Sequence, residues 1–483
     1  MIVGRLRARA LFISLALGLG CHSQASEPPI EPVAEPRPVT AEPEAEAQEE
    51  RTSNLPAEWI DAAAKIAAAA EGETTAWERL AMMADTFGHR LSGSKALEDA
   101  IDWTLEVMRE DGLSNVRREE VMVPHWVRGE ERGEVIGGRE LRLLGLGGTV
   151  GTGKRPLRGE VLVVSSLAEL GERSSEAKGK IVVINQPMPP FDPEARDPHY
   201  GATVGIRVAG PSAAGRAGAK ALLIRSVTAT SLATPHTGTL AYDDDAPKIP
   251  AAALSIEDTE HLARLALRGP VSVELSLGAK TLPDALSGNA IGEYLGRELP
   301  EEIVVIGGHI DSWDVGDGSS DDGSGCLMAI EAVRLLAKAG LRPKRTIRVV
   351  LFTNEENGLR GGRAYHAKHG SERHVAAIEA DVGAGAPWGF SATASDEEFA
   401  RLESFGGLMR VLGASGLRRG GGGADISPLT NDGVLSLGLL PDISHYFDLH
   451  HSAADTIDKI DPVHLEGNAA ALALMAYLLA DGE

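Results

Sequence analysis

Cysteine and basic residues are both scarce in this chain, and each shortage excludes a class of protein. The 483 residues include two cysteines, Cys21 and Cys326. Since Cys21 lies in an N-terminal leader, an intrachain disulfide framework is excluded. The chain has 47 Lys and Arg but 70 Asp and Glu, which gives a formal net charge of -23. Nucleic acids and anionic membrane surfaces are bound by clustered Lys and Arg, so we expect no nucleic-acid partner.

The leader lacks an apolar run long enough for a good spanning helix. Arg5, Arg7 and Arg9 precede the run ALFISLALGLG, and Cys21 follows directly. This layout is typical of a bacterial export signal over residues 1–20. Two alternatives stay open for Cys21: a lipid anchor that attaches the chain to a membrane, or simple secretion with an incidental cysteine. We therefore expect an exported protein in the periplasm, the cell envelope or the extracellular space.

Residues 21–53 are acidic and rich in Glu-Pro pairs. Such a segment has too few apolar groups to offset the entropy of ordering, which predicts a disordered linker. A globular pattern begins at residue 54. There the stretch GSKALEDAIDWTLEVMREDGL predicts a helix with Ser94 as N-cap and Gly112 as its stop. Its apolar positions recur on one helical face, namely Leu97, Ile101, Leu105 and Met108.

Two kinds of strand pattern divide the remaining chain. Between residues 126 and 286, short β runs such as VLVVSS and KIVVIN stand among many Gly and Pro, which predicts an inserted β-rich domain. Beyond it, near-continuous apolar strands are predicted at 301–309, 346–356 and 374–381, with a helix from Gly325 to Leu336. The fold class is therefore α/β, with a mostly parallel mixed sheet covered by helices and ligands expected at the carboxyl ends of its strands.

Polar side chains stand at these same strand ends. His309, the pair Glu355-Glu356 and Asp381 each close a predicted strand, and Asp321 lies in the loop before the next helix. His451 follows in the stretch SHYFDLHHSAADT. Imidazoles and carboxylates together suit a borderline divalent cation such as zinc. Five protein ligands exceed what one tetrahedral ion uses, so the set favours two ions with one bridging carboxylate.

Each of these features has a simpler interpretation when taken alone. A single His at a strand end is more often a structural hydrogen-bonding residue than a ligand. An Asp-Asp pair before Gly-Ser-Gly is most often a turn with helix capping. His450 and His451 are adjacent, so at most one of them is expected to be a ligand. Two roles stay open for Asp425: it is either an acidic residue near the cleft or a turn former.

Four motifs together resemble a known family. HIDSWDVGDGSSDDGSG, TNEENGLRGG, IEADVG and FDLHHSAADT are similar to the co-catalytic dizinc exopeptidases, which include bacterial leucine aminopeptidases, glutamate carboxypeptidase and carboxypeptidase Q. The resemblance extends from about residue 56 onward. It implies a zinc-exopeptidase catalytic domain built from residues 54–125 and 287–483, with residues 126–286 as a protease-associated domain.

The resemblance also implies a ligand set for two zinc ions per chain. His309 and Asp381 would bind one zinc, and Glu356 and His451 the other. Asp321 would bridge the two ions. The water shared by such ions loses much of its proton affinity and becomes a hydroxide near neutral pH.

Further roles follow from the same resemblance and from the chemistry. Glu355 would be the general base, and the peptide bond between Asp321 and Asp322 would be cis. Asp311, two residues past His309, is expected to accept the free N–H of that imidazole. Asp455 is expected to do the same for His451.

The implied activity is hydrolysis of dipeptides or short peptides, and the sequence leaves open whether the free amine or the free carboxylate is recognised. The resemblance also implies pairing as a homodimer. Three alternative functions remain, and one of them is a purely structural β-rich interaction module. Glutaminyl cyclases use a similar fold with a single zinc for acyl transfer, and some relatives of the fold have lost their metals and serve as receptors.

Overall fold

The computed structural model describes residues 55–482, so the predicted export signal and the linker up to residue 53 lie outside the described residues. Within this range the strands are β1 (Ser114–Val127), β2 (Glu131–Val135), β3 (Leu143–Gly145), β4 (Leu157–Val164), β5 (Ile181–Ile184), β6 (Ala221–Arg225), β7 (Ala251–Leu254), β8 (Ser272–Leu277), β9 (Lys280–Tyr294), β10 (Leu299–His309), β11 (Arg345–Phe352), β12 (Arg373–Glu379), β13 (Gly389–Thr393), β14 (Gly416–Arg419) and β15 (Leu435–Leu440).

The helices of eight residues or more are Ala57–Ala70, Thr75–Phe87, Lys95–Glu110, Ile256–Ala266, Ser324–Lys338, Arg360–His369, Asp396–Ser404 and Pro462–Asp481. Shorter helices cover Leu167–Glu172, Ser174–Ala177, Tyr200–Thr203, Gly205–Val208, Gly210–Arg216, Gly406–Met409, Ser427–Asn431 and Tyr446–Leu449. The helix predicted after Ser94 is present. Ser94 caps it, since its hydroxyl accepts a hydrogen bond from the main-chain N–H of Leu97 at 3.2 Å.

Eight strands form the larger sheet, in the order β1-β9-β11-β10-β12-β15-β13-β14. The central strands β11, β10, β12 and β15 run parallel to one another, whereas β9 pairs antiparallel with both β1 and β11, and β13 pairs antiparallel with β15. The prediction of a mostly parallel mixed sheet is therefore confirmed. Parallel central strands place their carboxyl ends at one edge, where the polar side chains of the site lie.

Side chains of β10 are buried on both faces of the larger sheet. Val304 and Ile306 are fully buried in the core formed with the helices Ser324–Lys338 and Pro462–Asp481. Val305, which points the other way along the strand, packs in a second core that includes Tyr365 of the helix Arg360–His369. A strand buried on both faces has an almost continuous apolar sequence, which explains the apolar run at residues 301–309.

A second sheet has the order β2-β8-β4-β5-β6-β7-β3 and is built from strands between residues 131 and 277. It has cores of its own on its two faces. The long antiparallel pair of β1 and β9 leads into this region, with Ser114 opposite Glu293 at one end and Val127 opposite Lys280 at the other. The predicted boundaries at 126 and 286 therefore fall inside two strands of the larger sheet.

The C-terminal helix Pro462–Asp481 is long and apolar enough to cross a membrane by length and composition. Within the structure, however, 83% of its apolar window is buried. It packs between the helices Ala57–Ala70 and Ser324–Lys338, so we assign it as a core helix.

Glu466 lies in this helix and gives a prediction about stability. Its Oε1 accepts a hydrogen bond from the main-chain N–H of Ala76 at 2.7 Å, and burial, followed by the nearby Glu331, raises its pKa from 4.5 to about 7. A raised carboxyl pKa lowers stability as pH increases from about 4.5 to 7, and the full loss persists above that range. We expect Glu466→Gln to raise the free energy of unfolding at pH 8 by on the order of 2 kcal/mol, with little change at pH 4. Urea unfolding at both pH values measures this difference.

The control for this prediction is Glu301→Gln, which changes an exposed glutamate of β10. It should leave the pH dependence of unfolding as it is in the wild type. Equal stabilisation by Glu466→Gln at pH 4 and pH 8 would show that ionisation of Glu466 is not the cause.

Candidate active site

Three parallel strands of the larger sheet deliver polar residues to one edge. β10 ends at His309, β11 ends at Phe352 three residues before Glu355, and β12 ends two residues before Asp381. The turn after β11 is tight, since Asn354 has a φ of 66°. Because these strands are parallel neighbours, the side chains that follow them meet in space.

His309, Asp321 and Asp381 form the first cluster. The Nε2 of His309 lies 3.2 Å from Oδ1 of Asp321 and 3.2 Å from Oδ1 of Asp381. The other ring nitrogen, Nδ1, lies 2.9 Å from the main-chain carbonyl oxygen of Asp311. In the neutral ring with Nδ1–H donating to that carbonyl, the lone pair of Nε2 would face the two carboxylates and could bind a cation.

The second cluster uses the other oxygen of Asp321. The Nε2 of His451 lies 3.3 Å from Oδ2 of Asp321 and 3.0 Å from Oε2 of Glu356. Asp321 belongs to two groups that could hold a metal ion, one with His309 and Asp381 and one with His450 and His451, and Glu356 adds a carboxylate beside His451. The peptide bond between Asp321 and Asp322 is cis, which confirms that expectation.

The donor set fits divalent cations. Two imidazoles and three carboxylates converge, and among the described residues neither Oδ2 of Asp321 nor Oε1 of Glu356 receives a hydrogen bond. Burial raises the pKa of Glu356 well above its usual range, and the neighbouring Asp321 carboxylate raises it further. Buried carboxylates at such separations repel unless a positive charge lies between them, so cations satisfy both the charge and the orphaned oxygens.

Glu355 lies beside these clusters in the wall of a cleft of about 480 Å³ that also contains His309, Asp321 and His451. Its main-chain N–H donates to Oδ1 of Asp311 at 3.0 Å, which fixes the backbone of the turn. Burial, opposed by His309 and reinforced by nearby acids, raises the pKa of Glu355 to about 8. A carboxyl group next to the ligands, with no ion pair to them, is placed to exchange protons with a molecule in the cleft.

The two expected orienting aspartates differ from the predictions in detail. Asp311 contacts Nδ1 of His309 through its main-chain carbonyl, while its carboxylate lies 3.9 Å away and receives the N–H of Glu355 instead. Among the described residues, no hydrogen bond joins Asp455 to His451. Its carboxylate accepts the main-chain N–H groups of Ser320 and Asp321 at 2.7 and 3.1 Å. The expectation for Asp455 was wrong, because the loop before the Ser324–Lys338 helix needs acceptors for its buried N–H groups.

His450 and His451 differ in how closely each approaches the Asp321 carboxylate. Their rings stack with centroids 3.5 Å apart, but Nε2 of His450 lies 3.7 Å from Asp321, farther than that of His451. Burial lowers the pKa of His450 to about 3. Asp425 lies below the cleft, where Oδ1 accepts the N–H of Gly362 at 3.2 Å, so it supports the turn between backbone segments.

Sequence reasoning missed the residues that the second sheet region brings to the cleft. Tyr200, Arg207 and Thr239 belong to its wall. The Nδ1 of His451 lies 3.4 Å from the carbonyl oxygen of Thr237, and the main-chain N–H of Thr237 donates to the carbonyl of His451 at 2.9 Å. No local motif marks these residues, since they gain their role only from the packing of residues 200–239 against the loop that carries His451.

Known proteins share this arrangement of sequence and fold. Residues 289–476 match the family described as Peptidase family M28. Carboxypeptidase Q of Homo sapiens is 41% identical over 423 residues, which cover 86% of this chain and 88% of that protein. The chain belongs to peptidase family M28. Membership confirms the prediction of a metallo-exopeptidase.

Solved structures agree with this M28 assignment. The crystal structure of a peptidase M28 precursor from Shewanella amazonensis superposes with a TM-score of 0.83 at 31% identity, and covers 90% of this chain and 98% of that one. The zinc aminopeptidase BSAP from Bacillus subtilis has a TM-score of 0.62 at 21% identity, with 84% and 95% covered, and supports the fold alone. The predicted α/β peptidase fold is confirmed.

Proposed function

We propose that this M28 peptidase hydrolyses dipeptides or short peptides with two zinc ions per chain. His309 and Asp381 would hold one ion, and Glu356 and His451 the other. Asp321 would bridge them. The observation that supports this assignment best is the Asp321 carboxylate, whose two oxygens face different imidazoles at 3.2 and 3.3 Å.

When bound, the two ions would lower the pKa of a water molecule and polarise the scissile carbonyl. The remaining chemistry belongs to side chains of this chain. Glu355 accepts a proton from the attacking water and passes it to the nitrogen of the leaving amine. Burial raises the pKa of Glu355 to about 8, and the nearby acids Asp381, Asp311 and Asp321 contribute to this increase.

Several further assignments belong to the same proposal. Residues 126–286 form a protease-associated domain inserted between the catalytic segments 54–125 and 287–483. Residues 1–20 direct export, with either lipidation at Cys21 or simple secretion. Two copies of the chain pair as a homodimer. The match to carboxypeptidase Q supports peptides as the substrate class.

Metal removal and restoration test this function. We expect purified protein to contain about two zinc ions per chain by elemental analysis. Dialysis against a chelator should abolish hydrolysis of an alanyl-leucine dipeptide, and added zinc should restore it. The control is the same dialysis with zinc-saturated chelator, which should leave hydrolysis intact.

Other results would identify the alternatives. About one zinc per chain with a cyclised product from an N-terminal glutamine peptide would indicate acyl transfer of the cyclase type. Absence of both metal and hydrolysis would indicate a binding protein that has kept the fold.

A further inference from the structure

The two clusters of candidate metal ligands differ in which part of the chain orients their histidine. In the first cluster, Nδ1 of His309 lies 2.9 Å from the carbonyl oxygen of Asp311, and the main-chain N–H of His309 donates to the carboxylate of Asp322 at 3.0 Å. Both partners follow His309 closely in the chain, so the segment that begins with β10 orients its own ligand. The hydrogen bonds of His451 that do not involve Nε2 come instead from the inserted region, residues 126–286.

Two hydrogen bonds from this region hold the main chain around His451. Nδ1 of His236 lies 2.7 Å from the carbonyl oxygen of His450, and the main-chain N–H of Thr237 donates to the carbonyl of His451 at 2.9 Å. His236 also pairs with Ser452 as an isolated antiparallel bridge. His451 has a φ of 60°, a conformation that residues other than glycine adopt only where their surroundings enforce it. The contacts of His236 and Thr237 supply that support.

The imidazole of His236 is a hydrogen-bond donor to this loop. The residue is 2% exposed, and burial lowers its pKa to about 4, so the ring is neutral at neutral pH. A neutral imidazole carries a single N–H. Because Nδ1 faces a carbonyl oxygen, which can only accept, that N–H is on Nδ1.

His236 and Thr237 are themselves fixed to the second sheet. The main-chain N–H of His236 donates to Oγ of Ser226 at 2.9 Å, and the Ser226 hydroxyl, directly after β6, donates to the carbonyl of Leu254 at the end of β7 at 2.6 Å. The hydroxyl of Thr237 donates to the carbonyl of Gly145 at the end of β3 at 2.7 Å. Supports built on strand ends position a ligand more precisely than a free loop does.

The ring of His451 depends on the same two residues for its tautomer. Nδ1 of His451 lies 3.4 Å from the carbonyl oxygen of Thr237 and 3.2 Å from Nη1 of Arg207. The carbonyl favours a proton on Nδ1, which leaves Nε2 free to bind a cation, whereas the guanidinium favours the tautomer that cannot. Gly238 allows the close approach, since a Cβ there would lie 2.6 Å from Nδ1 of His451. The position of the Thr237 carbonyl therefore decides whether His451 can be a ligand.

We propose that His236 is a positioning residue for the metal site of Glu356 and His451, and that the inserted region thereby controls the second ion but not the first. By holding the carbonyl of His450, His236 keeps the ring of His451 between Thr237 and the carboxylates. This inference rests on the proposed function, in which the chain holds two zinc ions.

The test measures zinc bound per chain, by elemental analysis, after dialysis against buffers of fixed free zinc concentration. We expect His236→Ala to bind the second ion roughly 10- to 100-fold more weakly than the wild type, with the first ion unchanged. His236→Asn places an amide N–H where Nδ1–H stood and should restore binding. His236→Gln places its amide at the position of Nε2 and should resemble His236→Ala. His261→Ala is the control, since His261 lies in the same region on the helix Ile256–Ala266, and it should bind as the wild type does.

Double variants identify which ion is affected. Asp381→Ala disables the first site, so adding His236→Ala to it should remove most of the zinc that remains. Glu356→Gln already disables the second site, so adding His236→Ala to it should cause no further loss. A general effect on folding would instead lower the zinc content in both backgrounds.

Unchanged binding of the second ion in His236→Ala, or equal weakening of both ions, would overturn the role of His236. If His236→Ala does not fold, as judged by circular dichroism, the Asn and Gln variants decide the question, and equal zinc affinities in these two would overturn the proposal as well. A wild type that binds fewer than two ions would instead refute the proposed function.

Discussion

Replacement of Glu355 by glutamine is expected to lower kcat for dipeptide hydrolysis roughly a thousandfold while the metal content stays at that of the wild type. Glutamine has the shape of glutamate but cannot accept a proton at neutral pH. Among the described residues, the carboxylate of Glu355 forms no ion pair with His309 or His451, and its main-chain N–H would still donate to Asp311. Steady-state kinetics and elemental analysis on the same preparation measure both quantities.

The adjacent Glu356 provides the matched control. Glu356→Gln makes the same chemical change one residue along, but it removes a carboxylate that lies 3.0 Å from His451. We expect this variant to lose metal together with activity. If Glu355→Gln lost metal in proportion to its activity, Glu355 would act as a ligand, and if it stayed fully active, another group would be the base.

The cluster of imidazoles and carboxylates was accessible from the sequence because of how parallel sheets are built. His309 ends a strand, and Glu356 and Asp381 follow strands that are direct neighbours of β10. Strands buried on both faces have an apolar pattern that is easily identified, and their carboxyl ends share one edge. Distant positions in the chain are thus brought together by a rule of topology that a pattern of residues can reveal.

Contacts that depend on packing between segments could not be predicted from the sequence pattern. Asp455 and His451 are close in the sequence, yet the Asp455 carboxylate caps the N–H groups of Ser320 and Asp321. Arg207 reaches the cleft only because the main chain of Thr237 pairs with that of His451. Hydrogen-bond partners of this kind are set by tertiary geometry, which no spacing of residue types specifies.

The bounds predicted for the inserted β-rich region lie inside paired strands. The change in composition places boundaries at 126 and 286, but β1 and β9 continue through them as one antiparallel pair. Met122 and Leu286 face each other across this pair and are about half exposed. Because the pair extends beyond the covered part of the sheet, its sequence is more polar and less regular than that of β10 or β11.

Removal of the shared carboxylate should have the largest effect on the metals. We expect Asp321→Ala to reduce zinc from about two ions per chain to less than one, since this change takes a ligand from both clusters at once. Asp381→Ala takes a ligand from one cluster only, so it should retain about one ion. Elemental analysis after dialysis against zinc-free buffer measures the content of both variants.

Thermal unfolding separates lost ligation from lost folding in Asp321→Ala. Zinc that binds the native state raises the melting temperature of the wild type, and this increase should disappear in the variant. Without metal, the variant should melt no lower than the metal-free wild type, because its buried acids repel less and the Asp455 carboxylate still holds the main chain of residues 320 and 321. His450→Ala is the control and should keep two ions and the full increase. Two ions retained in Asp321→Ala would mean that Asp321 is not the bridge, and loss of one ion in His450→Ala would place His450 among the ligands beside His451.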